Sequence, residues 1–143
     1  MRKSAIPFVA AVMAASVALA HSGVKDPTVM ARMMGMEAIA AASKTLGDMA
    51  RGRADFDASK AEAARMELIR HAGEISPLFE VPATDPKSEA LPAIWEDFAD
   101  FTAKGDMLRA AAEALDTSSA ASIGAGMRDI GTTCRSCHSA YRK

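Results

Sequence analysis

The hydrophobic positions of this 143-residue chain recur every three or four residues in four segments, which is the spacing of one face of an α-helix. The first segment opens at Asp26 and Pro27, an N-cap followed by a proline at the first helical position. It runs to about Arg51, where Gly52 stops it. The inward stripe of this predicted helix consists of Val29, Met33, Met36, Ile39, Ser43, Leu46 and Ala50.

Three further segments show the same spacing and are also predicted to be helices. Their expected bounds are, in chain order, Asp57 to about Pro77, Leu91-Pro92 to about Leu115, and Thr117 or Ser118 to Tyr141. Their stripes are Ala61, Ala64, Leu68, Ala72, Ile75 and Phe79; Ile94, Phe98, Phe101, Leu108, Ala112 and Leu115; and Ile123, Met127, Ile130, Cys134, Cys137 and Tyr141. Gly105 falls on the third helix's stripe, where we expect it to loosen or break the helix. Pro82 and Pro86 mark a loop before that helix.

Four amphipathic helices with short connections predict an all-α fold, an antiparallel four-helix bundle of up-down-up-down topology. The composition agrees, because abundant alanine, ten methionines, one tryptophan and one tyrosine favour helix over strand. In this topology the start of the first helix, the end of the second, the start of the third and the end of the fourth share one end of the bundle. Any site at the chain's C-terminus must therefore lie at that end.

The first twenty residues have the features of a secretory signal peptide. Arg2 and Lys3 precede an apolar run that ends in Ala18-Leu19-Ala20, an A-x-A cleavage site. We therefore predict a signal peptide over residues 1–20 and one exported domain over residues 21–143. The apolar run is short for a bilayer span, so a retained membrane anchor is the less favoured alternative.

The charge balance argues against one class of partner. Removal of Arg2 and Lys3 leaves 15 basic against 18 acidic side chains. A mildly acidic protein has no electrostatic basis for binding nucleic acid.

Near the C-terminus stands Cys134-Arg135-Ser136-Cys137-His138, the C-x-x-C-H motif that attaches a covalent haem. Each thiol adds to one vinyl group of the porphyrin as a thioether, and the imidazole of His138 then stands where it can bind the iron. On a helix, Cys134 and His138 are i, i+4 neighbours, so one face holds the ring. We therefore predict one haem c bound by Cys134 and Cys137, with His138 as the iron ligand.

Two other kinds of site use the same cysteines. A disulfide or redox pair normally follows a strand in an α/β unit, and no strand is predicted here. A structural zinc site needs four ligands, usually in two separated pairs, and this chain has only two cysteines. Haem attachment is favoured because the motif uses both cysteines in a chain that is predicted to be exported.

The chain resembles the class II c-type cytochromes in three features. These are the C-x-x-C-H motif near the C-terminus, the segment Leu91-Pro92-Ala93-Ile94-Trp95, and Arg32 four residues before Met36. The family comprises cytochrome c-prime, itself an example of the four-helix bundle, and its low-spin relatives. The resemblance implies a periplasmic haem protein whose partners are periplasmic redox proteins, and often a homodimer.

The resemblance leaves the role of Met36 open. In the family this position carries either a thioether that binds iron, as in low-spin electron carriers, or a bulky apolar side chain that covers an empty site, as in cytochrome c-prime. In antiparallel neighbours Met36 and His138 have similar heights, which favours Met36 as the second iron ligand. An ordinary core role is the alternative, with Met30, Met33 and Met34 as other sulfur donors.

Other residues are expected at the haem end of the bundle. The resemblance implies that Arg32 binds a haem propionate or gates the haem edge; the alternative is a surface arginine. Trp95 and Phe98 are predicted to wall the haem. His71 is a further candidate ligand, although a helical histidine near the surface is more often solvated. Leu68 and Ala72, also from the second helix, are expected to face the haem beside His71.

Two classes of function remain. The first is an electron carrier that passes one electron between periplasmic partners. The alternative is a five-coordinate haem protein that binds small gases such as nitric oxide or carbon monoxide. We do not expect an enzyme, because no acid and base pair or second metal site accompanies the haem motif.

Overall fold

The computed structural model describes residues 23–143, which form a bundle of α-helices. The helices are α1 (Pro27–Ala50), α2 (Ala58–Phe79), α3 (Ala93–Glu96), α4 (Phe98–Glu113) and α5 (Ala120–Tyr141). Both α1 and α4 pack on α2 and on α5, so the four long helices form a closed ring. The predicted antiparallel four-helix bundle is confirmed. The predicted signal peptide lies outside the described residues, and no helix within them is long and apolar enough to cross a membrane.

Side-chain caps begin the long helices close to where the sequence predicts. Asp26 accepts hydrogen bonds from the backbone N–H groups of Thr28 and Val29 at 2.8 and 2.9 Å. The last helix begins a residue or two later than predicted, because Ser119 and Ser122 cap each other's backbone N–H groups in a capping box. Such a cap stabilises a helix by about 1 kcal/mol.

The third predicted helix is divided in two, and the division is not at Gly105. The chain turns at Asp97, whose backbone leaves the helical region and whose carboxylate accepts the N–H of Asp100 at 3.1 Å. Asp97 thereby ends α3 and caps α4. Gly105 instead lies buried within a continuous α4, where Ile75 of α2 packs 3.4 Å from the position a β-carbon would take. The expectation that Gly105 breaks the helix is wrong.

The predicted stripes form the core, with one interruption. Leu46, Leu68, Ile123 and Ile130 are at most 1% exposed, and burial of each such side chain contributes roughly 1.5–3 kcal/mol. Several stripe positions at the haem end are only half-buried, namely Met33, Met36, Ser43, Cys134 and Cys137. All five border the same gap in the core.

Candidate functional site

A cavity of about 590 Å³ lies at the end of the bundle where α1 begins and α5 ends. That volume falls in the range of about 300–1,000 Å³ that is usual for cofactor sites. Its apolar wall is built from Val29, Ile39, Ile75, Phe79, Ile94, Phe101, Leu108 and Tyr141. A second hollow of about 510 Å³, between the end of α1 and the start of α5, is lined mainly by alanines and carries no thiol or imidazole.

The predicted haem motif faces the larger cavity from α5. Cys134 and Cys137 are free, half-buried thiols that line it, and burial raises the pKa of both. His138 lines the cavity and is exposed at its outer side. Burial of the ring, followed by the nearby charge of Arg142, lowers the pKa of His138. A lowered pKa favours the neutral imidazole, which is the form that binds a metal.

The alternative of a structural zinc site gains no support from this arrangement. Within residues 23–143, no group of three or more histidine, cysteine, aspartate or glutamate side chains is placed to hold a metal ion.

Met36 lines the same cavity from α1, the neighbour of α5 in the bundle. Met36 and Met33 are both half-buried there, whereas the side chain of Met34 is 53% exposed and does not line the cavity. The fold therefore brings the predicted pair, Met36 and His138, to one cavity from two helices. Whether Met36 binds the iron stays a prediction.

Arg32 is buried, so the alternative of a surface arginine is wrong. The residue is 3% exposed and lines the cavity. Its guanidinium lies over the rings of Phe79 and Trp95, at 4.8 and 5.1 Å from their centroids. Three of its N–H groups donate to backbone carbonyls at and just after the end of α2, those of Leu78 at 2.9 Å, Ala83 at 3.1 Å and Val81.

No carboxylate of residues 23–143 is in contact with the buried charge of Arg32. Among the described residues no acidic oxygen lies within 4.0 Å of the guanidinium, and Asp26 acts on it only from a longer distance. Burial lowers the pKa of Arg32. A buried cation is normally paired with an anion, so this part of the cavity wall is suited to a negatively charged group.

The aromatic wall of the cavity differs from the prediction. Trp95 and Phe98 do not line it. The indole N–H of Trp95 instead donates to the carbonyl oxygen of Phe79 at 2.7 Å, and Phe98 stacks on Phe101 with ring centroids 5.9 Å apart. Asp97 separates α3, which carries Trp95, from α4, which begins at Phe98. The wall is formed by Phe79, Phe101 and Tyr141, which the sequence places on core stripes without marking them as site residues.

His71 does not face the cavity, and neither do Leu68 and Ala72. The side chain of His71 is 13% exposed, and its ring is held by two carboxylates of its own helix, Glu74 at 2.8 Å and Glu67 at 3.3 Å. The contribution of α2 to the cavity comes from Ile75 and Phe79, nearer its end, because the helix continues past Pro77. The prediction that Leu68, His71 and Ala72 of α2 face the site is wrong.

A strap that the sequence pattern does not indicate forms part of the cavity wall. It consists of Lys87, Ser88, Glu89 and Ala90, in the loop between α2 and α3, which line the cavity together with His138. The strap is tied to the C-terminus by an ion pair between Glu89 and Arg142 at 2.5 Å, and by the N–H of Lys143, which donates to the carbonyl of Glu89 at 2.9 Å. No local motif marks such pairing across more than fifty residues.

The residues around the cavity fit a covalently attached haem. Both thiols and the imidazole of the motif reach it, and apolar side chains form most of its wall. The buried, uncompensated guanidinium of Arg32 suits a carboxylate such as a haem propionate.

Comparison with known proteins gives a consistent result. A family model described as Cytochrome C' matches residues 27–142. Cytochrome c-554 of Cereibacter sphaeroides is 42% identical over 105 residues, covering 68% of this chain and 79% of that protein. The structure of cytochrome c' from Rhodobacter Spheriodes matches with a TM-score of 0.73 at 30% identity, covering 80% of this chain and 94% of that one. A nitric oxide complex of a cytochrome c prime variant from Alcaligenes xylosoxidans matches with a TM-score of 0.71 at 27% identity, covering 81% and 94%.

Proposed function

The chain belongs to the cytochrome c' family of proteins that carry covalent haem c, and we propose that it is a periplasmic electron carrier whose iron is bound by His138 and Met36. One observation carries this proposal: His138 from α5 and Met36 from α1 line the same cavity, together with both thiols of the haem motif. Haem c supplies an iron that gains and loses one electron. The thioether of Met36 would fill the iron position that the imidazole of His138 leaves open.

The burial of α1 supports a fixed position for the Met36 sulfur. A thioether binds iron weakly, so the bundle must hold the sulfur in place. Ile39 and Leu46, three and ten residues further along α1, are 7% and 0% exposed. Their burial anchors the helix against the core, at roughly 1.5–3 kcal/mol each. A thioether ligand raises the reduction potential and suits electron transfer with little rearrangement.

The surroundings of Arg32 support a role in holding a haem propionate. A guanidinium has five N–H donors, and three of those of Arg32 are used by backbone carbonyls. Two donors and an uncompensated charge remain at the cavity wall. A propionate carboxylate would supply the missing anion, and charge-assisted hydrogen bonds of this kind are about twice as strong as neutral ones.

The second candidate function is the binding of small gases at a five-coordinate iron. It is favoured by the structural likeness to the nitric oxide complex of the cytochrome c prime variant. Under this alternative Met36 covers the distal side of the iron as an apolar side chain and binds nothing.

Carbon monoxide binding to the reduced protein tests these two functions. If Met36 binds the iron, the unmutated protein takes up carbon monoxide slowly and weakly, and Met36→Ala opens the iron to rapid binding. Met33→Ala is the matched control, because Met33 also lines the cavity half-buried on α1. Rapid uptake by the unmutated protein would favour the gas-binding function.

A further inference from the structure

A second stripe runs along α5 beside the stripe that carries the haem cysteines. We call it the arginine flank, and its members are Gly124, Arg128, Gly131, Arg135, His138 and Arg142. The spacing of four, three, four, three and four residues keeps all six on one side of the helix. Arg128, Arg135 and Arg142 are exposed. The flank therefore presents Arg128 and Arg135 to solvent on either side of Gly131 and meets the haem motif at His138, whereas Gly124 packs against Ala50 of α1.

Positive charge is concentrated near this flank. The last sixteen residues hold four of the seventeen basic side chains and one of the eighteen acidic ones. The rest of the chain carries seventeen acidic against thirteen basic side chains. The single acidic residue, Asp129, follows Arg128 directly and so points about 100° away around the helix. The protein is thus electrically asymmetric, with its cationic part on the helix that holds the haem.

Two of the three arginines have no ion-pair partner among residues 23–143. Within the described residues no carboxylate lies within 4.0 Å of Arg128 or Arg135, whereas Arg142 pairs with Glu89 at 2.5 Å. Arg135 stands three residues before His138, about one helical turn away. Glu37 of α1 also lines the cavity, so the acidic groups near the mouth are Glu37 and Glu89. The unpaired cations lie along the flank, away from the strap that carries Glu89.

The surface between these arginines is open. A β-carbon at Gly131 would have no neighbouring atom within 4 Å. Glycine within a helix costs about 1 kcal/mol relative to alanine, and no packing contact within the bundle requires it here. The glycine leaves a shallow stretch of bare backbone between Arg128 and Arg135, which allows another surface to approach the helix closely.

We propose that the arginine flank is the docking surface for a redox partner protein that presents carboxylate groups around its own redox centre. This inference rests on the proposed function as an electron carrier and adds the chemistry of the partner. Opposite charges on two surfaces steer their encounter and raise the association rate, in a manner that salt weakens. Docking at the flank places the partner beside His138, where the distance to the haem is short.

Small oxidants of opposite charge test the flank without a known partner. Ferricyanide, an anion, and tris(phenanthroline)cobalt(III), a cation, each take one electron from the reduced haem, and no bond or proton moves. Rates are measured by stopped flow at low and at high salt for the holoprotein and for Arg135→Glu, Arg128→Glu and Arg53→Glu. Arg53 is the matched control, because it is 67% exposed in the connection between α1 and α2, at the opposite end of the bundle.

The proposal predicts a graded result. At low salt Arg135→Glu slows ferricyanide roughly fivefold or more and accelerates the cobalt complex, as expected for two units of charge about 10 Å from the transfer path. Arg128→Glu has a smaller effect in the same directions, Arg53→Glu changes either rate by less than about twofold, and high salt removes the differences. Equal effects of Arg53→Glu and Arg135→Glu, or rates insensitive to salt, would overturn the proposal.

A second measurement identifies the kind of surface that docks. Polyglutamate is expected to slow the ferricyanide reaction less in Arg135→Glu than in the unmutated protein, because it binds the flank as a carboxylate-bearing partner would and repels the anionic oxidant. Sedimentation with anionic phospholipid vesicles that depends on Arg135 would instead assign the flank to a membrane and contradict the proposal. Both oxidants also react with a five-coordinate haem, so this test can succeed even if Met36 does not bind the iron.

Discussion

The hydroxyl of Tyr141 donates a 2.6 Å hydrogen bond to Oδ2 of Asp100, and this contact joins the end of α5 to the start of α4. Tyr141 stands three residues after His138 and lines the cavity, with its ring edge-on to Phe101 at 5.3 Å between centroids. Lys104 lies 3.5 Å from the same carboxylate oxygen. The bond therefore fixes the helix end that carries the haem motif.

This contact predicts an unusual titration of Tyr141. The hydrogen bond to Asp100, with the negative charge of that carboxylate, raises the pKa of Tyr141 to about 12, from an ordinary value of about 10. The stabilisation from the neutral phenol is then complete below pH 10 and is lost as the pH rises towards 12. Tyr141 is the only tyrosine in the chain, so ultraviolet resonance Raman spectra of tyrosinate report it alone.

Asp100→Asn provides the control for that titration. Removal of the carboxylate should return the pKa of Tyr141 towards 10, while Asp106→Asn, on the same helix and without a contact to Tyr141, should leave it near 12. A pKa near 10 in the unmutated protein would show that the bond does not form in solution.

Replacement of Arg32 should be costly for folding. Arg32→Met leaves three backbone carbonyls near the end of α2 without their donor, and each unsatisfied buried group costs about 1–3 kcal/mol. We expect a loss of roughly 2–5 kcal/mol in the free energy of unfolding of the holoprotein, measured with urea. Arg109→Met, at an arginine whose side chain is 49% exposed, should cost less than about 1 kcal/mol. Similar losses for both variants would contradict the buried role of Arg32.

Two glycines on α5 should respond in opposite ways to alanine. Gly131→Ala adds a methyl group where no atom lies within 4 Å, so we expect a gain of up to about 1 kcal/mol from helix propensity. Gly126→Ala places its β-carbon 2.5 Å from Leu115, which is 5% exposed. We expect a loss of roughly 1–3 kcal/mol from overpacking there. Thermal unfolding of the two variants measures both changes in stability. A loss of stability in Gly131→Ala equal to that in Gly126→Ala would be inconsistent with this packing.

Removal of both thiols should lower the stability of the bundle and also reduce the haem absorbance of the protein. Cys134→Ala together with Cys137→Ala is expected to lower the helical circular dichroism signal and the melting temperature, because a cofactor held by the native state stabilises it. In the unmutated protein, acid-acetone extraction should leave the haem on the polypeptide. An unchanged melting temperature in the double variant would mean that the haem contributes little to the core at that end.

The sequence is sufficient to predict the bundle and the motif, because both depend on local spacing. Met36, Cys134 and Cys137 share core stripes with residues that proved fully buried, such as Leu46 and Ile130, and this periodicity places them inside the fold. Two adjacent antiparallel helices then bring α1 and the haem motif to one cavity. Each of these steps needs only the helical repeat and the order of the segments.

The remaining features depend on contacts between distant parts of the chain. The buried guanidinium of Arg32 is held by carbonyl groups about fifty residues away in the sequence. The ion pair between Glu89 and Arg142 spans a similar sequence separation. Ile94 and Phe98 share one stripe in the sequence, but the turn at Asp97 places them on different helices. Hydrophobic periodicity carries no signal for any of these contacts.

The ligand set of the iron is the central claim, and the absorption spectrum of the oxidised, unmutated holoprotein tests it most directly. Ligation by His138 and Met36 predicts a low-spin spectrum with a weak far-red band from charge transfer between the thioether sulfur and the iron. That band should disappear in Met36→Ala and persist in Met33→Ala. A high-spin spectrum without the far-red band in the unmutated protein would contradict the claim and leave Met36 as a cover over a five-coordinate iron.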